Sequence, residues 1–265
     1  MPQICELIGL HQNRKDHDMT QTLIIARQDG TTEITLNRTD KANALGPDLV
    51  EDLLAAMAAA VTDGTRLVIL RGEGKSFCSG FDLSDLDSVT DGDLVHRLIR
   101  IETLLQAVYH APFPTLALAH GRVFGAGADL FCACSRRIAA PGTSFRMPGL
   151  GFGIVLGTRR LKVRVGEDAA RHIQNSGLTF DAAEALRLGF ATDMIDTDGW
   201  PQAAEDAGTS AQILSPQATA DLFRVTATDT RDADMADIAR TASVPGLKAR
   251  IQAYREQALK AAGKK

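Results

Sequence analysis

The residues best placed to do chemistry in this chain stand around two glycine-rich turns. In the first, an apolar run at 115–119 leads into Gly121, Gly125 and Gly127, and then into Asp129, the one acid within Ala128-Asp129-Leu130-Phe131-Cys132-Ala133-Cys134. Such a pattern predicts a buried strand, a tight turn and a helix buried on nearly every face. The first turn of that helix presents N–H groups with no intrahelical partner, and the helix dipole adds to their pull on negative charge. Asp129 is costly there as an ion unless it is paired, solvated by a cleft or used; dipole stabilisation alone is the bland alternative.

The second turn, 72–83, follows a strand signal at 66–70 and reads Gly72-Glu73-Gly74-Lys75-Ser76-Phe77-Cys78-Ser79-Gly80-Phe81-Asp82-Leu83. Gly80 lets the chain reverse so that the N–H of Phe81 points at the same crevice. One backbone donor from each turn would make an oxyanion hole for a carbonyl gaining charge.

Three strand–helix–strand units, at 33–70, 66–119 and 115–139, argue a parallel sheet covered by helices. A hairpin around Asp29-Gly30 opens the sheet, a polar loop covers 37–45, and a helix at 48–62 stops at Asp63-Gly64. A polar loop at 84–93 leads to a helix at 94–110. Helices follow at 157–165, 168–175 and 182–188, and from Trp200 onward at about 201–213, 217–226, 231–241 and 245–262, by pattern and caps. The basic residues Arg159, Arg160, Lys162 and Arg164 read as a solvated face. His96, Tyr109, His110 and His120 read as ordinary surface or core residues.

The segments 76–83 and 121–130, Leu36-Asn37-Arg38 with Asn43-Ala44-Leu45, and Ser176-Gly177-Leu178 with 182–190 together resemble the crotonase (enoyl-CoA hydratase/isomerase) superfamily. The resemblance covers residues 19–197. It implies an α/β fold of the crotonase-like ββα spiral type, with a C-terminal helical region at 198–265 for active-site cover and oligomerisation; residues 1–18 are expected to be a flexible extension. It implies an acyl-CoA thioester substrate, held in the Phe81 and Ala126 amides, with Asp129 as acid/base and coenzyme A against Lys41, Ala42, Leu45 and Ser79. No cofactor or metal beyond the coenzyme A of the substrate is implied, and trimers or dimers of trimers are. Lys260 and Lys264 are candidates for a coenzyme A phosphate.

One departure matters. Hydratases of this family carry a second glutamate directly after the proline of segment 143–153, where this chain has Gly149; a position eight residues on, acidic in some relatives, is Gly157. With Asp129 alone, the open readings are double-bond isomerisation, hydration with another donor, thioester hydrolysis or C–C cleavage, and a catalytically silent thioester binder. An arginine at 122 or 146 lining the pocket would point to a carboxylated acyl group.

Two nucleotide-binding patterns fail. Gly74-Lys75-Ser76 needs a glycine at 69, which is Ile69, and Gly125-Ala126-Gly127 needs one at 130, which is Leu130. A net charge of −4 gives no general basic footprint for nucleic acid. Cysteines 5, 78, 132 and 134 lack metal-ligand spacing and suit reduced, packed thiols in a cytoplasmic protein. No apolar run approaches the roughly 18 residues of a membrane span.

Overall fold

The computed structural model describes residues 16–262. Its first strands, β1 (Asp16–Met19), β2 (Leu23–Gln28) and β3 (Thr31–Leu36), form an antiparallel meander, with β2 and β3 joined at Asp29-Gly30, both at positive φ. The sheet therefore starts three residues before the expected boundary at 19. The rest of the expected extension, residues 1–15, lies outside the described residues.

From β3 onward the chain winds as a repeating unit. Helix α1 (Pro47–Thr62) follows β3; β4 (Leu67–Gly72) then pairs parallel with β3 and is followed by α2 (Asp91–Tyr109). Next come β5 (Thr115–Ala119), the short β6 (Arg122–Phe124), and α3 (Ala126–Ala133). Then β7 (Arg136–Ala139), β8 (Ser144–Arg146) and α4 (Thr158–Val165) repeat that order. In each later turn the first strand joins the large sheet, in the order β1-β2-β3-β4-β5-β7, and the second joins a small one containing β6 and β8. Earlier turns leave single bridges in place of the second strand, Leu45 to Phe81 and Cys78 to Val123. This is the ββα spiral that the sequence predicts.

The central strands β4, β5 and β7 are buried on both faces, which is why they are largely apolar without alternation. Val68, Leu70, Ala117 and Ala119 pack into the main core with α1, α2 and α3. Leu67, Ile69, Leu116, Leu118 and Ile138 face the other way, against Trp200, Ala203, Ala207 and Ala211 of a later helix.

The chain then forms α5 (Glu167–Ser176), β9 (Phe180–Asp181), α6 (Ala182–Arg187) and β10 (Asp193–Met194); β10 completes the large sheet beside β7 and β9 the small one beside β8. Four helices end it: α7 (Trp200–Ala211), α8 (Pro216–Thr226), α9 (Arg231–Ala242) and α10 (Leu247–Ala262).

Two expectations need correction. Helix α2 begins at Asp91, not Leu94, because Thr90 and Asp93 form a reciprocal capping box; that polar pair reads as loop in the sequence. The expected solvated face of α4 is partly interior. Arg160 is 2 % exposed, bonded to Glu102 and Asp234, and Arg164 bonds the carbonyls of Cys132 and Cys134 at the end of α3.

Candidate active site

Three close approaches between backbones press the two glycine turns together. A Cβ on Gly121 would overlap the Lys75 carbonyl, one on Gly80 the Phe124 carbonyl, and one on Gly127 the Cys78 carbonyl. The Cβ position of Gly80 also lies 3.3 Å from the Ala126 nitrogen, and Phe124 N donates to Cys78 O at 3.1 Å. Only glycine permits this contact, and Gly80 further needs its φ of 98°.

At this seam Phe81 and Ala126 line one cavity of about 230 Å³, together with Asp129. Among the described residues neither Phe81 N nor Ala126 N donates a hydrogen bond to the protein. The neighbours of Phe81 spend theirs: Leu45 N donates to Gly80 O at 2.7 Å and Asp82 N to Leu45 O at 3.3 Å. Ala126 is the first residue of α3, so its N–H has no intrahelical acceptor.

Asp129, one turn into α3, is 5 % exposed, and its Oδ1 is buried without a hydrogen-bond partner. Burial raises its carboxyl well above the ordinary range; the charge of Arg160 opposes that shift and Glu102 adds to it. Asp129 thus holds its proton more tightly than an exposed carboxyl does. Gly157 sits directly against it: a Cβ at 157 would overlap Oδ1. The carboxyl of Asp129 therefore fills the space that a side chain at 157 would take, so an acid at 157 could not coexist with this placement.

The other lining residues are mostly apolar, among them Leu98, Met147, Phe152, Ile154 and Leu156. Gly149 lines the cavity and contributes no carboxyl. Asp129, Arg146 and Tyr254 are the lining residues with ionisable side chains. Tyr254 comes from α10, where it packs on Phe152 at 5.4 Å between ring centres and against Gly151. The sequence gives a general C-terminal cover and does not single out Tyr254; its spacing with Ile251, which also lines the cavity, is the one available signal.

The expected coenzyme A residues gather beside Phe81. Ser79 lines the cavity; its N–H donates to Ala42 O at 3.0 Å and its hydroxyl to Lys41 O at 3.3 Å. Lys41 is exposed, and Ala42 and Asn43 adopt positive φ in the turn that follows it. Leu45 is 2 % exposed, with both backbone groups engaged by the 80–82 turn. Asn43 and Arg38 lock this arrangement. Asn43 Nδ2 donates to the carbonyls of Glu73 and Ser76, and Arg38 bonds Ala44 O at 2.6 Å and Asp82 at 2.9 Å.

His96, Tyr109 and His120 do not line this cavity; His120 Nε2 instead meets the Gly74 carbonyl at 2.8 Å. Arg122 is exposed and Lys260 is exposed, while Lys264 and Cys5 lie outside the described residues. Cys78, Cys132 and Cys134 are buried free thiols; burial pushes those of Cys78 and Cys134 up to about 12. Among the described residues no group of three or more His, Cys, Asp or Glu could hold a metal ion.

Amide donors without a protein acceptor beside a buried acid in an apolar cleft are an arrangement able to hold a carbonyl that gains negative charge while a proton moves. Comparison with known proteins gives this class a family. The model of the enoyl-CoA hydratase/isomerase family matches residues 26–244. A probable enoyl-CoA hydratase of Mycobacterium bovis is 33% identical over 182 residues, 66% of this chain and 73% of that relative. A Bordetella parapertussis crystal structure titled "putative enoyl-CoA hydratase/isomerase" is similar at 46% identity and a TM-score of 0.88, covering 89% of this chain and 98% of that one. A monofunctional enoyl-CoA isomerase of Mycobacterium smegmatis is similar at 25% identity and a TM-score of 0.65, over 77% of this chain and 91% of that one. The chain belongs to the enoyl-CoA hydratase/isomerase family.

Proposed function

We propose that this chain moves the double bond of an enoyl-CoA between the β,γ and α,β positions, with Asp129 as the one proton carrier. The thioester oxygen sits between the Phe81 and Ala126 amides. Asp129, as carboxylate, removes a proton from Cα; the electron pair forms the Cα–Cβ double bond as the Cβ–Cγ one opens, through a dienolate held by the amides. The same carboxyl returns the proton to Cγ, and no atom is gained or lost. Each amide contributes roughly 3–4 kcal/mol where charge develops. The observation that carries this reading is that, among the described residues, Asp129 is the single carboxyl lining an apolar cavity, with Gly149 and Gly157 bare.

Hydration is the second reading, favoured by the names of relatives such as the probable enoyl-CoA hydratase of M. bovis. It needs a second group to orient and deprotonate water, for which Tyr254 is the lining candidate. In the same proposal Lys41, Ala42 and Ser79 carry the coenzyme A moiety, with Leu45 holding their loop in place. The chain acts in the cytoplasm as a homo-oligomer of trimers or paired trimers.

Assay of purified protein with 3-enoyl-CoA and 2-enoyl-CoA thioesters separates the readings. Isomer formation lost by about 10²–10⁴-fold in Asp129→Asn, with thioester binding kept, supports the shuttle. A 3-hydroxyacyl product supports hydration, and binding without turnover of either substrate makes the chain a silent binder.

A further inference from the structure

Arg146 closes strand β8 at the shared wall of two cavities, the one that holds Asp129 and a wider adjoining one of about 920 Å³. Its own carbonyl accepts the N–H of Gly125 at 2.8 Å, which ties it to the residue before Ala126. Its Nε donates to the carbonyl of Gly177 at 2.9 Å, just past the end of α5, and this fixes the plane of the guanidinium. Among the described residues its two terminal nitrogens have no carboxylate partner. The other arginines and the lysine of the adjoining cavity each have a carboxylate partner: Arg159 has Asp234 and Asp237, and Lys162 and Arg171 share Glu167. Arg146 is thus an oriented guanidinium without a carboxylate partner among the described residues, beside a cleft whose other ionisable lining residues are Asp129 and Tyr254.

Arg146 is half-buried, with Nε held by a carbonyl and the terminal nitrogens left to meet an anion in the cleft. A planar pair of terminal nitrogens matches a carboxylate in bidentate fashion. We propose that Arg146 anchors a carboxylate on the acyl group itself, so that the substrates are coenzyme A half-thioesters of dicarboxylic acids rather than plain alkyl thioesters. This rests on the acyl-CoA reading of the site given above. A coenzyme A phosphate offers a similar anion, but of the residues expected to carry coenzyme A, Lys41, Ala42 and Leu45 with Ser79, Ser79 alone lines the cavity that Arg146 shares with Asp129, beside Phe81.

The test is calorimetric titration of the full chain with two saturated acyl-CoAs of equal length, one ending in a carboxylate and one in its methyl ester, and with free coenzyme A. The wild type is expected to prefer the acid by about 10- to 100-fold, the size of a charge-assisted pair. Arg146→Met collapses that ratio toward one, and Arg146→Lys, which keeps the charge without the fork, restores part of it. A wild-type ratio near or below one overturns the proposal. So does an Arg146→Met variant that weakens free coenzyme A and both thioesters by one common factor, because the anion is then a phosphate. Turnover of unsaturated thioesters, measured separately, isolates the parent reading: preference without turnover removes the isomerase assignment alone, and turnover without preference removes this inference alone. Failure to bind any thioester removes both.

Discussion

The raised proton affinity of Asp129 comes from what its surroundings withhold. Among the described residues its Oδ1 has no donor, Gly157 brings no side chain, and the charges of Arg160 and Glu102 act on it in opposite directions. Burial therefore dominates and the folded chain holds the proton more tightly than the unfolded one. That contribution to stability is complete below the ordinary carboxyl value of 3.8 and is lost as pH rises through the raised folded value. Two consequences are measurable in one pH series. If the proposed isomerisation uses the Asp129 carboxylate as base, its kcat/KM climbs with pH through a midpoint well above the ordinary carboxylate range. Over the same interval Asp129→Asn should gain thermal stability relative to wild type, by an amount on the order of 1–3 kcal/mol for relief of a poorly solvated buried group. A flat rate profile together with a pH-independent stability gap would remove Asp129 as the titrating base. Its acid position beside apolar neighbours was legible in the sequence; its lack of any partner was not, since that depends on Gly157 returning to it from 28 positions along the chain.

At the scale of elements, the site is a product of contact between two turns. Gly80 and Gly127 let carbonyls and amides of separate ββα units approach within the radius of a missing methyl. Gly80→Ala adds a Cβ against the Phe124 carbonyl at a φ of 98°, and the Ala126 amide must shift to make room. This variant is expected to lose about 1–3 kcal/mol of stability from backbone strain. Its kcat/KM should fall by about 100-fold, as for displacement of a reacting group by an ångström, with the larger part in kcat. Full activity in a stable Gly80→Ala protein would mean that the two amides do not act together. Both turns could be read from glycine spacing, and so could nearly every helix. What local pattern conceals is polar pairing over distance: Arg160 looks solvated on α4 until Glu102 and Asp234, from α2 and α9, surround it. Likewise Thr90 and Asp93 look like loop residues until each bonds the other's backbone.

For the whole molecule, the spiral order sets which turns meet, and the C-terminal helices close the cleft. Asp91 at the start of α2 accepts the N–H groups of Gly246, Leu247 and Lys248, which seats α10 so that Ile251 and Tyr254 reach the cavity. No helix among the described residues is long and apolar enough to cross a membrane. Ile213, Leu222 and Val225 on and beside α8 remain 48–77 % exposed, surface that suits burial between copies. Sedimentation of the purified chain should give the mass of a trimer or a pair of trimers, and a monomer at micromolar concentration would contradict the assembly.

The most direct test of the single-acid shuttle follows one turnover of a 3-enoyl-CoA in D₂O, with the label at Cγ of the product read by mass spectrometry and NMR. A proton taken from Cα by a carboxyl only 5 % exposed should be returned before it exchanges, leaving mostly protium at Cγ. Complete deuteration at Cγ, or a product bearing a hydroxyl at Cβ, would contradict it.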